Sequence, residues 1–215
     1  AAIILKAWIM NKLSTLYESL YQHYGELHWW PANTPYEVML GAILTQNTAW
    51  VNVEKALANL GEIPPRGVQE MELKELEMLI RPAGFATRKA QTIKAITQWF
   101  LDYKDDPESS LEDTRQELLS MRGIGPETAD AILLYAFNQP SFVVDAYTMR
   151  LFKRYPIQAG ITYMQVKHYC EQELPRDTKV YNRFHALVVE HGKRHCKKKP
   201  LCLGCPLGDT CERNV

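Results

Sequence analysis

The sequence lacks any long hydrophobic run and any clear strand pattern. No stretch of its 215 residues approaches the roughly 18 continuous apolar residues of a membrane helix. The apolar start, residues 1–10, is interrupted by Lys6 and has no small-residue cleavage site, so we expect no signal peptide. Apolar and polar residues do not alternate with a period of two, and the apolar run at 142–144 is too short to build a sheet. We therefore predict an intracellular all-α protein.

The chain also lacks net charge, because 25 lysines and arginines balance 25 aspartates and glutamates. The balance hides an asymmetry. Residues 1–145 carry 12 basic and 19 acidic side chains, whereas residues 146–215 carry 13 basic and 6 acidic ones. Much of the basic excess lies at 183–199, and such a block is either a phosphate-binding patch or a solvated surface. Charge alone leaves both interpretations open.

Apolar residues recur at helical spacing through almost the whole chain. Leu13, Leu16 and Leu20 follow one another at intervals of three or four, which predicts one buried helical face. Thr34 followed by Pro35 predicts an N-cap and a first helical position. Prolines such as those at 64–65 and 156 predict breaks between helices. Further helices are predicted at 50–60, 74–79, 87–103, 115–121, 127–137, 146–155 and 178–193.

Two of these helices are joined by a short glycine-containing turn, Gly123-Ile124-Gly125. The glycines permit a backbone geometry that a side chain would obstruct and let an extended partner approach the chain. The helix that begins near Pro126 offers unpaired N–H groups, which suit a phosphate oxygen. Ile124 is expected to plug the hairpin. A lone Gly-x-Gly is more often an ordinary turn, but the pattern Leu-x-x-Met-x-Gly-Ile-Gly-x-x-Thr-Ala is far more restrictive.

That pattern resembles the helix-hairpin-helix of the endonuclease III superfamily of DNA glycosylases. The family has an aspartate shortly beyond the hairpin, and Asp145 stands 20 residues after Gly125. Residues 40–48 look like the family's first barrel helix and the following loop, and the resemblance runs from Tyr36 through Cys211. It implies two helical lobes with DNA in the groove between them, bent and with one nucleotide extruded. Residues 31–144 would form a six-helix barrel with the hairpin, and 1–30 with 145–215 a second lobe that ends in a four-cysteine loop at 196–211.

Four of the five cysteines fall in this short tail with the spacing C-x5-C-x2-C-x5-C: Cys196, Cys202, Cys205 and Cys211. Four thiolates can hold either structural zinc or a [4Fe–4S] cluster. Many endonuclease III relatives end in C-x6-C-x2-C-x5-C around [4Fe–4S], so the resemblance implies that cluster and makes zinc the alternative. The first interval is one residue shorter here. Cys170 stands apart and is expected to be buried.

Position 127 bears on the chemistry. Bifunctional members of the family, which also cleave the strand, carry a lysine two residues after the second hairpin glycine, and its amine forms a Schiff base with the sugar. Here that place is Glu127, which cannot do so. The resemblance therefore implies a monofunctional glycosylase without lyase activity. Asp145 would stabilise the oxocarbenium-like sugar and orient or deprotonate the attacking water, and it would also suit a helix N-cap.

Tryptophans indicate which base is removed. A Trp-Trp-Pro run precedes the first barrel helix and Trp50 follows it, which is similar to the 3-methyladenine glycosylase branch. Stacked indoles reward a flipped, cationic alkylated purine through cation–π attraction of about 0.5–2 kcal/mol. Core packing is the alternative role for the two adjacent tryptophans. The expected base pocket consists of Trp29, Trp30, Pro31, Trp50 and Glu127.

Double-stranded DNA with a damaged base is the expected partner of a monomeric protein that does not bind membranes. Gln46 resembles the residue that fills the gap left by the flipped nucleotide. We expect phosphate-contacting or surface positions for His185, His191 and His195. We expect the protein to be found in the compartment that holds the DNA, such as the bacterial or archaeal cytoplasm. The expected DNA contacts are Gln46, Asn47, Arg122, Gly123, Ile124, Gly125, Thr128, Lys197, Lys198 and Lys199.

Three other functions fit the same residues. One is a monofunctional glycosylase for mismatched or deaminated bases. The second is a bifunctional-type endonuclease III relative that has lost lyase activity and only binds DNA; Asp145 argues against it. The third is a zinc-thiolate interaction domain.

Overall fold

The computed structural model describes residues 11–27, 30, 32–103 and 110–212. All regular secondary structure in these ranges is helical, which confirms the all-α prediction. No helix there is both long enough and apolar enough to cross a membrane. The α-helices are α1 (Lys12–Tyr24), α2 (Pro35–Leu44), α3 (Trp50–Leu60), α4 (Pro65–Glu70), α5 (Leu73–Ile80), α6 (Ala86–Asp102), α7 (Leu111–Ser120), α8 (Pro126–Ala131), α9 (Ala146–Arg154), α10 (Tyr163–Glu173) and α11 (Thr178–Arg194).

The chain divides into two compact units. One combines Ala1–Pro31 with Pro140–Val215, and the other is Ala32–Gln139. In the first unit, α11 packs against α1 and α9. The predicted apolar face of α1 is buried there: Leu13, Leu16 and Leu20 are all 0% exposed. Burying such side chains stabilises the unit by about 1.5–3 kcal/mol each.

The second unit contains α2 to α8. Its core includes Met39, Ile43 and Ile93, which are fully buried. Helix α2 begins as predicted, because the Thr34 side chain accepts a hydrogen bond from the backbone N–H of Glu37 at 3.2 Å, with Pro35 in the first turn. Helix α6 packs against α2, α4 and α5 and places one end beside the hairpin turn.

Three helical segments differ from the sequence prediction. Helix α4 begins at Pro65, where we expected a break, because proline fits the first turn of a helix. Helix α10 was missed because Lys167 interrupts its apolar face, although that lysine is buried. The expected helix 127–137 is α-helical only in its first part. Helix α8 ends at Ala131, and a π-helical segment, Ile132–Ala136, follows it directly.

Candidate active site

Asp145 lies at the start of α9, where its Oδ1 is hydrogen-bonded and its Oδ2 faces a histidine. Its Oδ1 accepts hydrogen bonds from the backbone N–H of Thr148 at 2.7 Å and from Thr148 Oγ1 at 2.9 Å. Its Oδ2 lies 3.4 Å from Nε2 of His185 on α11, and the two side chains are 11% and 6% exposed. The expected N-cap role is therefore confirmed, and the catalytic role stays a prediction.

The surroundings of Asp145 favour its ionised form. Burial alone would raise the pKa of this carboxyl. The close contact and charge interaction with His185, together with the two hydrogen bonds from Thr148, outweigh burial, so the pKa of Asp145 lies below its ordinary value. A carboxylate at this place is thus charged at neutral pH, which is what stabilisation of a developing positive charge requires.

The segment before Asp145 is anchored by α10. Glu171 Oε1 accepts the backbone N–H of Phe142 at 2.9 Å. The buried Lys167 ammonium donates to Ser141 Oγ at 2.7 Å and to the Phe142 carbonyl at 3.3 Å. Because residues 141–144 are also buried, the backbone that leads to Asp145 has little freedom to move.

The hairpin turn joins α7 to α8 at residues 121–125. Ile124 is buried, as expected. Gly123 has a φ of +97°, and a Cβ there would lie 2.2 Å from Thr92 Oγ1, which itself donates to the Arg122 carbonyl at 3.1 Å. Gly123 is therefore required by conformation and by space. Gly125 is exposed, and nothing lies within 4 Å of where its Cβ would be, so the backbone is open to an approaching chain.

A buried ion pair ties the two hairpin helices together. Arg115 Nε on α7 donates to Asp130 Oδ1 on α8 at 2.8 Å, and Nη2 donates to Oδ2 at 3.2 Å. The two residues are 4% and 0% exposed. The bidentate geometry fixes the angle between the helices and, with it, the shape of the turn.

The structure brings Gln46 to the hairpin. Its Nε2 donates to the Gly123 carbonyl at 3.0 Å and to Thr128 Oγ1 at 2.9 Å. The backbone of the Gln46 loop is held by the buried Lys89 ammonium, which donates to the carbonyls of Leu44, Gln46 and Ala83, each at 2.8 Å. Burial lowers the pKa of Lys89, and the three carbonyls supply the hydrogen bonds that a buried ammonium needs.

The expected pocket residues are distributed over both units. Trp29 and Pro31 lie outside the described residues. Trp30 is half-buried and belongs to the first unit, with a left-handed φ of 61°. Trp50, half-buried at the start of α3, and Glu127, exposed in the first turn of α8, belong to the second. Their assembly into one base pocket stays a prediction.

The four tail cysteines line one small cavity of about 30 Å³, together with Arg154 and two histidines. Two arginines of helix α9 form hydrogen bonds with the start of this loop. Arg150 Nε donates to the Cys196 carbonyl at 2.7 Å, and Arg154 Nη1 donates to Cys196 Sγ at 3.3 Å. In the part of the chain that the structure describes, no three His, Cys, Asp or Glu side chains are grouped as ligands of a single metal ion. Four soft sulfur donors around one cavity suit a thiolate-bound centre. The three lysines at 197–199 are exposed.

The histidine prediction was wrong for two of its three residues. His185 faces Asp145, and His191 is 1% exposed, with Nδ1 3.1 Å from the Tyr24 hydroxyl. Burial lowers the pKa of His191 to about 4. Both lie on the inner face of α11, whose strong amphipathic pattern was a usable signal.

Phe85 is a further candidate residue that the sequence pattern did not indicate. This residue precedes α6, is 67% exposed and has a left-handed φ of 50°. An exposed aromatic side chain on a strained backbone is a feature of binding sites.

Comparison with known proteins decides the family. Residues 40–176 match the HhH-GPD superfamily of base excision DNA repair proteins. The chain belongs to this family. The matched range contains the Gln46 loop, the hairpin and Asp145, whereas the tryptophans before α2 and the cysteine loop lie outside it. The chain is accordingly a base excision repair DNA glycosylase by family.

Three known proteins show what this HhH-GPD chain is similar to. A candidate DNA repair glycosylase of Methanocaldococcus jannaschii is 46% identical over 209 residues, covering 91% of this chain and 94% of the relative. The structure of the 3-methyladenine DNA glycosylase of Helicobacter pylori bound to 1,N6-ethenoadenine matches with a TM-score of 0.74 and 28% identity, covering 86% of this chain and 98% of that one. A non-covalent endonuclease III–DNA complex shares the fold, with a TM-score of 0.81 and 24% identity over 95% and 97% of the two chains.

Proposed function

We propose that this HhH-GPD protein is a monofunctional DNA glycosylase that hydrolyses the N-glycosidic bond of alkylated purines of the 3-methyladenine kind. The observation that carries the proposal is the Asp145 carboxylate, which is nearly buried, fixed by hydrogen bonds to its Oδ1, faced by His185 at its Oδ2 and held in its charged form. The H. pylori 3-methyladenine glycosylase, bound to a modified adenine, supports the choice of purines.

Asp145 acts on the sugar. As the bond to the base lengthens, positive charge develops on the deoxyribose ring, and a fixed carboxylate stabilises that charge without having to reorganise. The same carboxylate orients a water molecule and takes its proton as the water attacks the anomeric carbon. The hydrogen bonds from Thr148 fix the direction in which the carboxylate points.

The leaving base needs little help. An N3- or N7-alkylated purine is cationic, so it departs without a strong general acid. Selectivity then depends on capture of the electron-poor ring between indoles, the role that we assign to Trp29, Trp30 and Trp50, with Pro31 and Glu127 beside them.

Glu127 makes the reaction monofunctional. A carboxylate cannot form a Schiff base with the sugar, so water is the nucleophile and an abasic site is the product. Glu127 is exposed in the first turn of α8, where a negative charge is favourable for the helix.

DNA binding is proposed to use the hairpin and the cysteine loop. The open backbone at Gly125 and the exposed Arg122 suit one phosphate strand, and Lys197, Lys198 and Lys199 a second group of phosphates. Gln46 would leave Gly123 and Thr128 to enter the gap, at a cost of about 0.5–1.5 kcal/mol for each hydrogen bond. We propose that Asn47 and Phe85, both exposed, contact the DNA with it.

Cys196, Cys202, Cys205 and Cys211 are proposed to hold a [4Fe–4S] cluster. When bound, this group cross-links the loop and needs no change of redox state for base release. The chain's own contribution is to keep the three lysines on a short segment anchored by Arg150 and Arg154. A fixed loop loses little conformational entropy when it binds phosphates.

The test is to incubate the protein with methylated duplex DNA and to identify the freed bases by mass. We expect 3-methyladenine from the wild type and none from Asp145→Asn, which should still bind DNA that contains an abasic-site analogue. Release of mismatched or deaminated bases instead would assign the other glycosylase specificity. No released base from any such substrate would leave a protein that only binds DNA.

A further inference from the structure

His185 lies against the proposed catalytic carboxylate from a different helix. It occupies the second turn of α11, 40 residues after Asp145, and its Nε2 is 3.4 Å from Asp145 Oδ2. Its side chain is 6% exposed. A histidine that is buried this completely beside a carboxylate is held by packing and has few alternative positions.

The two carboxylate oxygens face residues of different elements. Oδ1 is bound by Thr148, which belongs to the first turn of the helix that Asp145 caps. Oδ2 faces His185 on α11. The Thr148 contacts are those of an ordinary N-cap, and many helices have them without any catalytic role. The His185 contact adds a second fixed point, which a cap does not need.

Other titratable groups near α11 have different partners. From α1, Tyr17 accepts a hydrogen bond from Arg183 at 3.2 Å, and the Tyr24 hydroxyl contacts His191. From α9, Arg150 and Arg154 bind the cysteine loop. Tyr147, also on α9, lies against Gly192. These groups lie along other parts of α11, so Asp145 is the acidic partner with which His185 is paired.

We propose that His185 is a positioning residue, which keeps the Asp145 carboxylate ionised and aims its Oδ2 for the hydrolysis of the glycosidic bond. This inference rests on the function proposed above. The mechanism is electrostatic: burial favours the neutral carboxyl, and the His185 contact opposes burial. Removal of that contact shifts Asp145 towards its protonated form and frees one oxygen to rotate.

The experiment compares wild-type protein with His185→Gln, which keeps a hydrogen-bond donor, and His185→Leu, which removes it. His168→Leu is the matched control, because His168 is exposed on α10 in the same unit. Single-turnover base release from methylated DNA is measured against pH, and binding to DNA with an abasic-site analogue is measured in parallel. Thermal melting selects the variants that remain folded.

We expect the maximal rate of His185→Leu to fall about 10- to 100-fold with little change in binding. We also expect the acid limb of its pH–rate profile to move to higher pH. His185→Gln should recover part of the rate, and His168→Leu should match the wild type. An unchanged rate and an unmoved acid limb in both His185 variants would overturn the inference while leaving the proposed function intact.

A second readout does not depend on activity. The carboxyl carbon of Asp145 is titrated by NMR in the wild type and in His185→Gln. We expect its titration to occur at higher pH in the variant, and an identical titration would overturn the inference. If the wild type released no base at all, the proposed function would fail, and the titration would still show whether His185 keeps Asp145 ionised.

Discussion

At the scale of single residues, two carboxylates carry the proposed chemistry. Asp145 is assigned to base hydrolysis, and Glu127 to the absence of strand cleavage. Asp145 is nearly buried and fixed by Thr148 and His185, so it suits a reaction that develops positive charge. Glu127 is exposed in the first turn of α8 and lacks the amine that a lyase reaction needs. The proposal therefore assigns the difference between hydrolysis and strand cleavage to position 127.

Replacement of Glu127 tests that placement. Glu127→Lys puts an amine at the position where bifunctional members of the endonuclease III superfamily are expected to carry their lysine. We therefore expect a covalent adduct with DNA that borohydride can trap. Glu127→Gln, which is uncharged and has no such amine, is the control and should give no adduct. An adduct with the wild-type protein would show instead that another amine of this chain attacks the sugar.

The sequence indicated Asp145 as a candidate but did not indicate its neighbour His185. The spacing from the hairpin and the family pattern pointed to the aspartate, because both are local features of the chain. His185 comes from α11, and its contact with Asp145 depends on how α9 and α11 pack. The same limit applies to Lys89, whose three carbonyl partners come from α2, the Gln46 loop and the segment before α6. A buried charge of this kind has no signal in local periodicity.

At the scale of secondary structure, the hairpin depends on the Arg115–Asp130 pair. We expect Arg115→Ala to lower the free energy of unfolding by about 3–5 kcal/mol, because the buried Asp130 carboxylate would lose the guanidinium that binds both of its oxygens. Replacement of both partners, Arg115→Met with Asp130→Leu, should cost much less. Urea denaturation followed by circular dichroism measures both. A single variant as stable as the double one would contradict this role for the pair.

The cysteine loop is a second element with a measurable property. We expect purified protein to be brown, with iron bound, and Cys202→Ser to lose both colour and iron. Cys170→Ser is the matched control, because Cys170 is fully buried in α10 and lies outside the loop. A colourless wild-type protein that contains zinc would contradict the cluster and support the alternative metal.

Helices were predictable where the apolar pattern was regular and capped. The start of α2 followed from Thr34 and Pro35, and the buried face of α1 from the spacing of its leucines. Helix α10 was not found, because its buried face contains Lys167, whose charge is compensated by Glu171 and by oxygen atoms of residues 141–142. The π-helical segment after α8 has the same apolar periodicity as an α-helix, so the pattern could not distinguish them.

At the scale of the whole molecule, the chain consists of two helical units, each with its own buried core. The hairpin and Glu127 belong to one, and Asp145 and the cysteine loop to the other. The family match covers parts of both, from residue 40 to residue 176. The charge of the chain is also unevenly distributed. The last 70 residues, which belong to the unit that contains Asp145, carry the basic excess.

The central claim is that Asp145 drives hydrolytic release of an alkylated purine without cleavage of the strand. The most direct measurement uses end-labelled methylated duplex DNA, treated with protein and analysed on a denaturing gel before and after hot alkali. We predict full-length strands before alkali and breaks at methylated purines after it, with no more breaks for Asp145→Asn than for methylated DNA treated without protein. Breaks before alkali, or equal numbers of breaks with and without the Asp145 carboxylate, would contradict the claim.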